Sequence, residues 1–173
     1  MKIIKIQLLV VFSALLLLNC GGKEEKKKEG FSYEKSVTTE KVDTKKADSN
    51  VANVVLTAND MMKYNTNEIK VKAGQKVRLT LRHVGKMDVN VMGHNFVLLK
   101  KGTDLVAFAN AASTQKDNKY IPEDTQDIIA HTDMIGGGQT AAIEFDAPEV
   151  GTYDFLCSFP AHYAMMRGKF IVE

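Results

Sequence analysis

Cys157-Ser158-Phe159-Pro160-Ala161-His162-Tyr163-Ala164-Met165-Met166 sets a thiol, an imidazole and a thioether in one short run, spaced C-x4-H-x3-M, between two segments that read as strands. That is a metal-ligand spacing. A thiolate and a thioether favour a soft, polarisable ion, and imidazole suits copper in either oxidation state. Two imidazoles, one thiolate and a weak axial thioether are the donor set of blue-copper electron-transfer sites. The motif lacks one imidazole, and His94 in Val91-Met92-Gly93-His94-Asn95-Phe96-Val97 is the expected donor, since it stands in an apolar run that would enter a core.

Working outward, short segments alternate apolar and polar residues or are apolar throughout. Strands are expected over 54–56, 69–71, 77–81, 91–99, 128–131, 140–145, 153–157 and 169–172, with Ala73-Gly74-Gln75 as a turn. Eight strands with Gly and Asn/Asp punctuation imply an all-β, two-sheet antiparallel sandwich. One stretch breaks the pattern: residues 103–114 are Ala-rich, repeat apolar residues at helical spacing and begin with Thr103, which can cap a helix. A helix outside the sandwich is expected there.

These residues carry a resemblance. From about Ala58 to Glu173 the chain resembles the azurins, within the cupredoxins. The matching pieces are Asn59-Asp60-Met61-Met62, Tyr64-Asn65-Thr66-Asn67, Asn90-Val91-Met92-Gly93-His94-Asn95, Ile129-Ala130-His131-Thr132 and Cys157-Ser158-Phe159-Pro160-Ala161-His162. The resemblance implies an eight-stranded Greek-key β-sandwich that binds one copper ion and carries single electrons. It implies that His94, Cys157 and His162 hold copper in a plane, with Met166 as the axial thioether and the Gly93 carbonyl as a weak opposite contact. Asn95 and Phe159 are expected to support the thiolate, the first by pinning the ligand loops together and the second through its main-chain amide. Met62, Met92, Phe159, Pro160, Ala161 and Ala164 would ring the edge of His162, an apolar patch suited to brief docking of a redox partner such as a c-type cytochrome or a terminal reductase or oxidase. His83 and His131 match histidines that azurins keep without binding copper, so both are assigned to structure, and Met165 to packing or surface.

Competing readings exist for the same residues. A lone Cys is often a small core hydrophobe, but His and Met follow Cys157 at ligand spacing. A Cys/His nucleophile needs an orienting third group and gives Met166 no part. A full set of donors leaves no open coordination position for substrate, so no enzymatic activity is expected. A copper carrier or storage protein stays open as the alternative function, and a metal-free adhesion role is a third.

The first 20 residues differ in kind. Lys2 and Lys5 precede an apolar run over 6–18 that ends in Leu17-Leu18-Asn19-Cys20-Gly21. A basic start before a short apolar stretch is an export signal. Cys20 resembles the lipid-modified Cys of bacterial lipoproteins, with an uncleaved anchor or a plain secretory signal as the alternatives. A periplasmic protein held to the inner or outer membrane by lipid follows. Residues 21–50 are mixed-charge with few apolar residues, a tether that as a flexible coil reaches on the order of 30 Å. Residues 51–173 are then the copper-binding domain. With Cys20 lipidated and Cys157 on metal, neither of the two cysteines is left for the disulfide that azurins carry. A net charge of +2 over 173 residues is no nucleic-acid footprint, and a monomer is expected.

Overall fold

The computed structural model describes residues 50–173; the expected signal peptide, Cys20 and all but the last residue of the tether lie outside the described residues. The chain runs β1 (Val51–Asn59), β2 (Lys63–Tyr64), β3 (Glu68–Val71), β4 (Lys76–His83), α1 (Val89–Met92), β5 (Val97–Leu99), α2 (Leu105–Ser113), β6 (Ile128–His131), β7 (Thr140–Asp146), β8 (Gly151–Leu156) and β9 (Arg167–Val172). Two sheets form, ordered β2-β1-β4-β7 and β3-β9-β8-β5-β6. Each of the eight expected strands has a counterpart, the one over 91–99 cut to three residues, and a two-residue strand, β2, joins them.

Alternation drives the packing. In β4, Val77, Leu79, Leu81 and His83 turn inward while Lys76, Arg78 and Arg82 face solvent. Val77, Leu79 and Leu81 meet Ile69, Val71, Leu98, Tyr153, Phe155 and Phe170 of the opposite sheet in one core. The run Val97–Leu99 is buried on both faces: Leu98 enters the main core, whereas Val97 and Leu99 pack with Leu156 against Phe108, Ala109 and Ala112 of α2. The helix therefore covers the outer face of the second sheet, where the bare strands would leave apolar side chains in water.

Three expectations are corrected. The pairing is not antiparallel throughout, because β1 runs parallel to β4 and β3 parallel to β9. Residues between β1 and β4 cross to the other sheet, so the returning strand arrives in the same direction. The expected strand over 91–99 exists only at Val97–Leu99; its first part belongs to the single helical turn α1, which Asp88 caps by accepting from the Asn90 N–H. Asp104, not Thr103, caps α2, its carboxylate accepting from the N–H groups of Val106 and Ala107.

Candidate metal centre

The site lies where three connections meet at one end of the sandwich. The β8–β9 connection carries Cys157, His162 and Met166, and it is folded tightly by its own main chain. Cys157 N–H donates to the Met166 carbonyl at 2.9 Å, and Met166 N–H donates to the His162 carbonyl at 2.8 Å. Ala161, in the left-handed region at φ 66°, turns the chain into a short 3₁₀ turn over His162–Ala164. His94 is fixed from the other side by a bridge to Ile135, each residue's N–H donating to the other's carbonyl at 2.9 Å.

These elements bring His94, Cys157 and His162 together, their donor atoms all within 4.8 Å of one another. Around Cys157 Sγ stand His162 Nδ1 at 3.7 Å, the Gly93 carbonyl oxygen at 3.8 Å and His94 Nδ1 at 3.9 Å. The imidazoles of His94 and His162 are 0% and 3% exposed, and Cys157 is wholly buried. Met166 is also fully buried and joins Cys157 in the core cluster.

Chemistry of the donors suits a metal ion. His94 Nε2 lies 2.9 Å from the Asn59 carbonyl, which can only accept, so Nε2 bears the hydrogen and Nδ1 keeps its lone pair toward the sulfur. Burial pushes His94 down to about 4, with the Asn59 hydrogen bond opposing it and His83 adding to it. Burial likewise takes His162 to about 4, helped by His94 and His83, so both rings are neutral at pH 7. The Cys157 thiol is pushed up to about 12 by burial, against the main-chain N–H groups of Asn95 and Phe159 that stabilise a thiolate. A buried thiol held protonated until a cation replaces its proton, flanked by two neutral imidazoles, is a soft-metal site. An ion bonded to nitrogen and sulfur at about 2.0–2.3 Å needs donors separated by a little under 4 Å, as these are.

The surroundings hold the donors still. Asn95 bonds Ser158 twice, accepting from its N–H at 2.9 Å and donating to its hydroxyl at 2.8 Å, and the buried Tyr64 hydroxyl donates to the Asn95 carbonyl. Thr132 Oγ1 accepts from Phe96 N–H at 3.0 Å. The His83 ring stacks on His94 at 4.4 Å between centroids, with its Nε2–H donating to the Met92 carbonyl at 2.9 Å and its Nδ1 accepting from Gly85 N–H at 3.0 Å. His131 stands apart, exposed at the end of β6. Phe159 lies over His162 at 4.6 Å and Tyr120 packs edge-on against Phe159 at 5.1 Å.

At the surface of this end, Met62, Met92, Phe159 and Pro160 are half-buried, while Ala161, Ala164 and Met165 are exposed. Sequence reasoning missed Asn59, Ser158, Tyr64 and Ile135. Asn59 and Ile135 act through main-chain atoms, which leave no side-chain signal. The stretch Cys157-Ser158 flanking a ligand was the one available pointer to Ser158.

Residues 49–173 match the family of "Copper binding proteins, plastocyanin/azurin family". Azurin-1 of Alcaligenes xylosoxydans xylosoxydans is 39% identical over 119 residues, covering 66% of this chain and 92% of that protein. Outer membrane protein H.8 of Neisseria meningitidis serogroup B is 37% identical over 115 residues, which cover 65% of this chain and 62% of that protein. Among solved structures, auracyanin A, a "blue" copper protein from Chloroflexus aurantiacus, superposes with a TM-score of 0.65 at 29% identity, covering 71% of this chain and 99% of that one. Reduced auracyanin from Roseiflexus castenholzii gives 0.63 at 33% identity over 70% of this chain and 96% of its own.

Proposed function

The chain belongs to the plastocyanin/azurin family of copper-binding proteins and is a blue copper electron-transfer protein; on that premise we propose that His94, Cys157, His162 and Met166 would hold its copper, with the Gly93 carbonyl as a weak additional contact. Bound copper supplies a one-electron change between its cuprous and cupric states. The protein's part is to keep the donors in one arrangement in both states. A buried His94 ring hydrogen-bonded to the Asn59 carbonyl, a buried His162 ring packed under Phe159 and a thiolate backed by the Asn95 and Phe159 amides have little freedom to rearrange.

The observation that carries this reading is the convergence of three buried donors from two separate loops, within 4.8 Å of one another. Their burial favours an electron carrier over a copper carrier or store, which needs accessible donors that release metal readily. With Met166 as the proposed fourth donor beside these three, no open position would be left for substrate, which supports a role other than catalysis.

Electrons leave through His162, the ligand in the exposed loop, and the apolar rim of Met62, Met92, Pro160, Ala161 and Ala164 receives the redox partner, a c-type cytochrome or terminal reductase or oxidase. The chain is exported, lipidated on Cys20, and held in the periplasm by a tether over 21–50. Its signal-like first 20 residues support this, as does its likeness to a protein named as an outer membrane protein.

Adding Cu(II) to the purified protein tests the ligand assignment. An intense thiolate-to-copper visible absorption at one copper per chain is expected, and its absence from Cys157→Ser. A colourless wild-type protein, or an equally coloured Cys157→Ser, overturns it.

A further inference from the structure

Beside the ligand loop, a groove of about 410 Å³ has Lys63, Asn65, Thr66, Asn67, Met165 and Arg167 in its wall. No carboxylate lines it. Lys63 and Arg167 are exposed, and neither has an ion pair among the described residues. Lys70, Lys76, Arg78, Lys119 and Lys169 each have an acidic partner at 2.6–3.2 Å; Lys72, Arg82, Lys86, Lys100, Lys101 and Lys116 have none among the described residues either, but none of these lines the groove. Glu68, next along the chain from the groove, is engaged by Lys70 at 3.2 Å. Two cations are thus left without neutralisation at one place, facing a recess whose remaining polar groups are uncharged.

The position gives the charge a use. Met165 precedes Met166, and its N–H donates to the His162 carbonyl at 3.0 Å. Tyr64, also in the groove wall, donates to the Asn95 carbonyl behind the site. Anything held in the groove therefore lies against the loop through which electrons leave. Charges of this kind at the edge of an apolar contact steer and orient a partner more than they bind it.

We propose that this groove takes the carboxylates of an acidic redox partner, so that Lys63 and Arg167 set its orientation while the apolar rim makes the close contact. The proposal rests on the electron-transfer reading above. A partner's acidic segment fits better than a lone small anion, because the lining residues are mostly exposed and form no converging cluster of buried donors.

The test is a titration of the full-length, copper(I)-loaded protein with a hexaglutamate peptide, followed by amide chemical shifts. A second arm uses inorganic phosphate at equal ionic strength. Saturable shifts confined to residues 63–67 and 164–167 are expected with the peptide. Lys63→Gln with Arg167→Gln should weaken binding on the order of tenfold at low salt. Removing two cations at the opposite end, Lys72→Gln with Lys101→Gln, should change it less than twofold. Equal losses in the two double variants, or shifts spread elsewhere, would show a net-charge effect and overturn the proposal. Phosphate giving the same shifts at equal affinity would make the groove a small-anion site and overturn it too. The copper-free wild-type protein should bind the peptide as well as the copper(I) form, so a failed copper assignment and a failed groove are told apart.

Discussion

Asn95 and Ser158 are clasped by two hydrogen bonds, Ser158 N–H to Asn95 Oδ1 at 2.9 Å and Asn95 Nδ2 to Ser158 Oγ at 2.8 Å. Both residues are buried, and they are the immediate neighbours of His94 and Cys157. The clasp therefore fixes the distance between two proposed ligands that are 63 residues apart in the chain.

Removing the clasp should cost stability and metal geometry together. Asn95→Leu leaves a buried N–H and a buried hydroxyl without partners, at roughly 1–3 kcal/mol each, so a loss of about 3 kcal/mol is expected. Ser158→Ala breaks one bond and should cost roughly 1 kcal/mol. Urea unfolding of the metal-free proteins measures both. In the copper-loaded Asn95→Leu protein the thiolate-to-copper band should also weaken. Equal stability of Asn95→Leu and wild type would show that the clasp does not hold the loops.

Metal uptake should release one proton per copper. The Cys157 thiol stays protonated up to about 12, whereas both histidines lose their proton by about 4. Between these limits the thiol proton is the only one that copper displaces from the ligands. Apparent affinity should rise about tenfold per pH unit between pH 5 and 8. Calorimetry in buffers of different ionisation enthalpy counts the protons. A count near zero would mean that the thiol is already ionised in the metal-free protein.

Much of the candidate site, the cluster of His94, Cys157 and His162, was legible in the sequence, and the reason is its compactness. Cys157, His162 and Met166 share one hairpin connection, so their spacing survives in the linear chain, and His94 is marked by the apolar run around it. Chain direction was not legible: alternation tells which face a residue takes, not whether β1 and β4 run alike. The misread start of the 91–99 strand has a specific cause. Val89, Val91 and Met92 look like a core strand, yet α1 buries none of its residues and Val91 is 59% exposed. Apolar composition signals burial only on average, and at a docking surface it signals the reverse. Thr103 and Asp104 are adjacent and both can cap, but Asp is the stronger cap of the two, so the sequence already favoured the residue that caps α2.

Acid should destabilise the metal-free protein through its ligands. In the unfolded chain each imidazole titrates near 6.5, but in the folded protein His94 and His162 titrate at about 4. Between these values the unfolded state binds more protons, so stability rises with pH there and is lost as pH falls from 6.5 to about 4. The slope should approach 1.4 kcal/mol per pH unit per ring and flatten above pH 7. Urea midpoints at pH 4, 5, 6 and 7 give the slope, and His162→Asn should about halve it. A wild-type midpoint independent of pH across this window would contradict the buried, neutral rings.

Gly93 has an ordinary φ of −66°, so an alanine there is barred by crowding and not by backbone conformation. A Cβ would lie 2.5 Å from the Val89 carbonyl oxygen, 2.9 Å from Phe159 Cδ2 and 3.0 Å from Met134 Sδ. The methionine sulfur can give way, but the Val89 oxygen belongs to the main chain of α1, so either that turn or the segment carrying His94 must shift. Overpacking of this kind costs about 1–3 kcal/mol. Displacement of residue 93 also moves its carbonyl, now 3.8 Å from Cys157 Sγ, and the adjoining His94. Gly93→Ala should therefore lower the unfolding midpoint of the metal-free protein and shift the visible band of the copper form. Gly74→Ala is the informative control: its Cβ meets nothing within 4 Å, and its φ of +74° strains the backbone in the β3–β4 turn, beside the far end of β9 from the ligand loop. That variant should lose stability while keeping the wild-type copper spectrum. Identical spectra for Gly93→Ala and wild type would mean that α1 yields and the ligand loop stays, leaving the Gly93 carbonyl without influence on the metal.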